Sequence, residues 1–137
     1  MNGRKIMLST MAYTIGTFVL AVVWHVALFE TLYRGFGYFE GEPDFSLGLL
    51  TIVIQGFVLS LLFPLVRLGG PPLFRGLKFA LLLGVFFWTS HVLAFIAKQS
   101  VPDALSFAVI ESVYLTLQFG LFGLLLGAIY SNTRIAE

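Results

Sequence analysis

The chain has 137 residues, of which 58% are hydrophobic, 16% aromatic and only 11% charged. A soluble domain averages roughly 25% charged residues, so this chain lacks the charge to coat a water-facing surface, and lipid is its expected solvent. A formal net charge of +1 gives no sign of a nucleic-acid partner, and a sequence without cysteine excludes disulfides, cysteine-ligated zinc and iron–sulfur clusters.

Four stretches contain no charged residue: 6–29, 45–66, 79–97 and 112–130. Each approaches or exceeds the ~20 residues that a helix needs to cross the hydrocarbon core. Backbone polar groups in lipid must be satisfied within the segment, so these stretches are expected as helices. The period-two alternation of a membrane barrel is absent. The expectation is an all-α integral membrane four-helix bundle. It forms a single transmembrane domain over 1–137, with helices at about 6–33, 45–67, 76–98 and 104–130.

The first span follows Arg4 and Lys5. It is too long for a signal-peptide core and no small-x-small cleavage pattern closes it, so it reads as a retained helix. After it come Tyr33, Phe36, Tyr38 and Phe39, expected as an interfacial aromatic belt. Glu30 is expected to snorkel to the same interface. Pro43-Asp44 precedes the second span, with Asp44 or Ser46 as its N-cap. Pro64 lies late in that span, where it is expected to kink the helix. Gly69-Gly70-Pro71-Pro72 separates spans two and three, and Pro102-Asp103 precedes span four, with Asp103 or Ser106 as the cap. Six of the eight Lys and Arg residues (Arg4, Lys5, Arg67, Arg75, Lys78 and Arg134) fall on one side of this topology, against Arg34 and Lys98 on the other. That bias predicts both termini inside, an N-in/C-in arrangement.

The two halves share a pattern. His25-Val26-Ala27-Leu28-Phe29 in span one matches His91-Val92-Leu93-Ala94-Phe95 in span three. After each come Pro-Asp and an apolar helix bearing one glutamine, Gln55 or Gln118. Two duplicated helical hairpins are expected, related by a pseudo-two-fold axis along the membrane normal.

Ionisable groups inside a membrane are costly and face the bundle interior or a wet cavity. His25, His91 and Glu111 are the deep ones, at a common depth of roughly 10 Å counted at ~1.5 Å per residue. Gln55 and Gln118 add neutral polar groups, and Glu111, Tyr114 and Gln118 share one helix face by their spacing. Three readings of this layer stay open. It locks the bundle of a non-enzymatic subunit or binding protein, one with a membrane-protein partner or a second copy. His25 and His91 ligate a haem b iron from two sides, or hold a metal together with Glu111. Glu111 exchanges protons in an oligomeric proton-coupled transporter of small molecules. No phosphate-binding loop, dinucleotide fingerprint, HExxH or nucleophile elbow is present, which points away from an enzyme.

Small residues mark close helix approach: Gly120, Gly123 and Gly127 in span four, Gly56 and Ser60 in span two, Ala80 and Gly84 in span three. With the repeated HVxxF motif and the glycine-rich final helix from Gly120 to Gly127, the chain resembles small four-helix bacterial inner-membrane proteins, a class without an assigned activity. The resemblance covers most of the chain. It implies the architecture and a bacterial inner-membrane location, and it brings no functional residue with it.

Overall fold

The computed structural model describes residues 1–131. Helix α1, Gly3–Ala21, starts where the Asn2 side chain accepts a hydrogen bond from the Lys5 amide. It runs on without a break into a π-helical segment, Val22–Leu28, whose wider turn is closed by the Phe29 amide bonding the Trp24 carbonyl at 3.0 Å. At Phe29 (φ −123°, ψ 21°) the axis breaks, and a short α2, Glu30–Gly35, follows. Helix α3, Phe45–Leu65, is capped by Asp44, whose carboxylate accepts from the Leu47 amide at 2.9 Å. Helix α4, Pro72–Trp88, continues through a second π-helical segment, Thr89–Leu93, into α5, Ala94–Lys98. Helix α6, Ala104–Tyr130, is capped by Asp103 through the Ser106 amide at 3.1 Å. Hydrogen bonds from Ser106, side chain and backbone, hold the exposed Asp103 carboxyl below its ordinary value. No strand occurs among the described residues.

Four continuous helical runs are long and apolar enough to span a membrane: Gly3–Leu28, Phe45–Leu65, Pro72–Lys98 and Ala104–Tyr130. They correspond in order to spans one to four. Their large apolar side chains point outward, Leu81, Phe86 and Leu105 among them. This outward apolar surface is what a lipid solvent asks for and water would oppose.

The expected helix bounds differ most from the observed ones at two ends. Span three begins at Pro72 rather than 76, because a proline with its fixed φ and missing N–H suits the first helical position. Span one does not run to 33 as one helix, since Phe29 breaks it and turns α2 inward. Pro64 lies in the last turn of α3, where the helix is about to end.

The closest packing is between spans one and two, three and four, and one and four. Span four is the centre: 44% of its core window is buried, against 17–22% for the others. The glycine pattern explains how span four comes so close to span three. A Cβ on Gly76 would collide with the Gly123 carbonyl, and one on Gly127 would sit 2.7 Å from Leu73 Cα. The Gly123/Gly127 pair therefore serves a contact within this chain. Gly56 does the same for spans one and two, since a Cβ there would lie 2.9 Å from the Tyr13 ring.

At one end of the bundle, hereafter the capped end, residues 29–44 fold back over the helices. Tyr33 and Phe36 are buried with Phe107, and Phe95, Tyr38 and Phe39 pack around them. This corrects the expected interfacial belt: Tyr33 and Phe36 point into the protein rather than toward headgroups. The other end, with the N-terminus and the 66–71 connection, is the terminal end. There Lys5 stands over the Tyr130 ring at 5.0 Å and Arg75 over Phe63 at 5.6 Å. Arg134, counted above in the charge bias, lies outside the described residues.

Candidate functional site

Glu111 projects from α6 into the middle of the bundle and is 0% exposed. An ionised carboxylate there needs compensation, because an unpaired charge in an apolar interior costs many kcal/mol. Three groups supply it. The Tyr33 hydroxyl donates to Oε2 at 2.7 Å, and His25 Nε2 meets the same oxygen at 3.2 Å. His91 Nδ1 lies 3.8 Å from Oε1, too far for a hydrogen bond. Oε1 is buried and has no hydrogen-bond partner. Behind Tyr33, the Trp24 indole N–H donates to its hydroxyl at 2.9 Å and fixes it.

The protonation of His25 follows from its other nitrogen. Nδ1 is 3.2 Å from the Ala21 carbonyl, which can only accept, so Nδ1 carries a hydrogen. Nε2 then meets Oε2 across a gap that holds one proton. Either the imidazole keeps it and the pair is imidazolium with carboxylate, or Glu111 keeps it and donates to a neutral imidazole. Both arrangements have zero net charge, and both leave the bonds from Tyr33 and to Ala21 intact.

Both histidines lie on π-helical turns, His25 within Val22–Leu28 and His91 within Thr89–Leu93. Such turns occur mostly as single-turn bulges within α-helices, and frequently at functional sites. The His25 ring is enclosed by Tyr33 and Tyr114, each 4.4 Å away edge-on, and by Tyr38, stacked at 5.3 Å. Burial and the nearby Glu111 charge push the Tyr38 phenol up, so it stays a neutral wall. His91 is more open: its side chain is about a third exposed and stacks on Phe87 at 6.0 Å.

The expected polar layer divides in two. His25, His91, Glu111 and Tyr114 gather as described. Gln55 and Gln118 meet elsewhere, one on each side of Tyr13: Gln118 Nε2 donates to the Tyr13 hydroxyl at 3.0 Å, and that hydroxyl donates to Gln55 Oε1 at 3.1 Å. Sequence reasoning missed Tyr13, Tyr33 and the anchoring roles of Trp24 and Ala21. One signal was available, the four-residue spacing of Ser9, Tyr13 and Thr17 along span one, with His25 eight residues further on the same face.

The haem and metal readings meet a geometric obstacle. A haem iron between His25 and His91 would have to occupy the space that the Glu111 carboxyl fills. As for a metal, no group of three His, Asp or Glu side chains among the described residues is arranged to hold an ion. Glu111 is likewise not partnered by Lys98. Glu30 forms an i,i+4 ion pair with Arg34 at 2.9 Å near the surface.

Two lipid-facing grooves flank the site. One of ≈290 Å³ lies between spans one and two at the capped end, with His25, Tyr38 and Phe39 on its wall. The other, of ≈360 Å³, lies between spans three and four and reaches Trp88 and Ser112. No known protein family matches the chain, and neither a curated protein nor a solved structure matches it.

Proposed function

We propose that this chain is a non-enzymatic membrane protein whose His25–Glu111 pair binds and releases a proton in the outer half of the bilayer. The observation that carries the reading is the 3.2 Å contact between His25 Nε2 and Glu111 Oε2, which a shared proton would bridge once Nδ1 donates to the Ala21 carbonyl. A permanent structural ion pair is better served by a guanidinium, which stays charged at any pH. An imidazole changes charge in the physiological range.

The proposal includes a topology. Both termini are cytoplasmic and the capped end is external, in keeping with the distribution of Lys and Arg. The membrane is the bacterial inner membrane, as the resemblance to small four-helix proteins of that membrane implies. The hairpins are duplicates: each has its HVxxF histidine on a π turn and its Pro-Asp cap. Only the second hairpin has a carboxylate within its second helix, so one Glu111 serves both histidines. The His91 side chain is about a third exposed at this depth, which favours a second copy or a membrane-protein partner beside span three.

The test is infrared difference spectroscopy between acid and alkaline buffers, on protein in lipid nanodiscs. A carboxylic-acid band that changes between about pH 5 and 8, and disappears in Glu111→Gln, is expected. Nitrogen-15 resonances should show His25 Nδ1 protonated throughout. No pH-dependent carboxyl band, or an Nδ1 that loses its proton, overturns the reading.

A further inference from the structure

The groove between spans one and two runs along α3 from Ile52 up to Asp44, about 12 Å at ~1.5 Å per residue. Its volume of ≈290 Å³ lies just below that of small-molecule sites, about 300–1,000 Å³. Apolar side chains make most of its wall. His25 also lines it, but one ring nitrogen meets the Ala21 carbonyl and the other Glu111, so the imidazole has no polar atom to spare. Gly48 borders the groove, and a Cβ there would meet nothing within 4 Å.

The mouth has a different character. Asp44 is exposed on the same wall, and its carboxylate accepts from the Leu47 amide and from nothing else among the described residues. Glu40 and Glu42 come just before it. None of the three carboxylates forms an ion pair among the described residues. Arg34 is the one base between residues 30 and 44, against four acids, Glu30, Glu40, Glu42 and Asp44. It is already committed to the Glu30 carboxylate and to the carbonyls of Glu40 and Gly41.

An apolar trough with a negative mouth complements one kind of ligand, a hydrocarbon body with a cationic head. A phospholipid tail suits the trough, but its own phosphate would meet the carboxylates at the mouth. A neutral chain gains nothing from them. Tyr38, Phe39 and Phe45, also on this wall, are of the side-chain type that recognises quaternary ammonium groups. We infer that the groove is a binding site for an amphipathic organic cation, with its chain between spans one and two and its ammonium beside Asp44. The inference stands independently of the proton-binding reading.

The probe is octyltrimethylammonium, whose charge does not change with pH. It is titrated calorimetrically at low salt into the full chain in nanodiscs of zwitterionic lipid, with the heat of empty nanodiscs subtracted. Saturable binding is expected for this cation, and none for octanol or octyl sulfate. Asp44→Asn keeps a capping oxygen for α3 and should weaken binding by about two- to fivefold, the usual range for one exposed charge pair. The triple variant E40Q/E42Q/D44N should weaken it by roughly tenfold. Gly48→Leu sets a side chain into the groove from an unobstructed position and should remove saturable binding while the melting temperature holds. Octanol binding as tightly as the cation, or wild-type affinity in the triple variant, overturns the cation site and leaves a trough for acyl chains. No saturable heat from the wild type, or full binding by Gly48→Leu, overturns the site altogether.

Discussion

Span four carries two polar clusters two turns apart, and they hold the bundle by different means. Around Glu111 the groups are ionisable, come from spans one, three and four and from α2, and share one proton between His25 and the carboxyl. Around Gln118 the groups are neutral, come from spans one, two and four, and meet through one phenol that both donates and accepts. The first cluster ties the aromatic cap to the helices, and the second ties span two to span four through Tyr13. A neutral cluster tolerates the loss of a member, because its amides find other partners within the membrane. A charged one does not, because any member removed strands a charge or a proton.

The largest contrast is expected on breaking the charged pair. His25→Leu leaves Glu111 buried without its imidazole and should destabilise the protein by about 3–5 kcal/mol, read from unfolding in mild detergent. A loss under 1 kcal/mol would mean that Glu111 is already neutral in the wild type. Next come the two phenols. Tyr33→Phe removes a hydrogen bond to a carboxylate, worth about 1.5–3 kcal/mol, whereas Tyr13→Phe removes bonds to amides of a kind averaging about 0.6 kcal/mol in membrane proteins. Equal costs would erase the distinction between the clusters. The smallest effect concerns a carboxylate outside both. Asp103 has a lowered value in the folded chain, so its stabilising cap is fully present above its ordinary value and is lost as pH falls below about 4 through the folded value. Asp103→Asn keeps a capping oxygen and should remove that acid-limb dependence from the melting curve, leaving stability at neutral pH nearly unchanged.

Much of this was legible in the sequence. Charge-free runs announced four helices because lipid excludes charge from them. His25, His91 and Glu111 stood out because nothing else ionisable lies so deep. Asp44 and Asp103 were visible as caps through the Pro-Asp pattern. Tyr33 was not legible as a ligand of Glu111: an aromatic near a helix end has the same signature whether it faces headgroups or turns inward, and the break at Phe29 decides which. Tyr13 was hidden for a related reason, since a tyrosine among apolar residues reads as packing until its hydroxyl is placed. The separation of Gln118 from Glu111 came from a partner on another helix, which a shared face cannot reveal.

The π turns set the phase of everything that follows them. Each accommodates one residue more than an α-helix would, and each residue turns the chain by about 100°. Deleting one residue from Val22–Leu28 would let the helix run regular and carry Tyr33 about 100° around its axis, away from Glu111. The surplus residue behaves like a key cut to one lock: its side chain is replaceable, but its place in the count is not. In such a segment a one-residue deletion is more damaging than most substitutions, although the stretch reads as undistinguished hydrophobic helix.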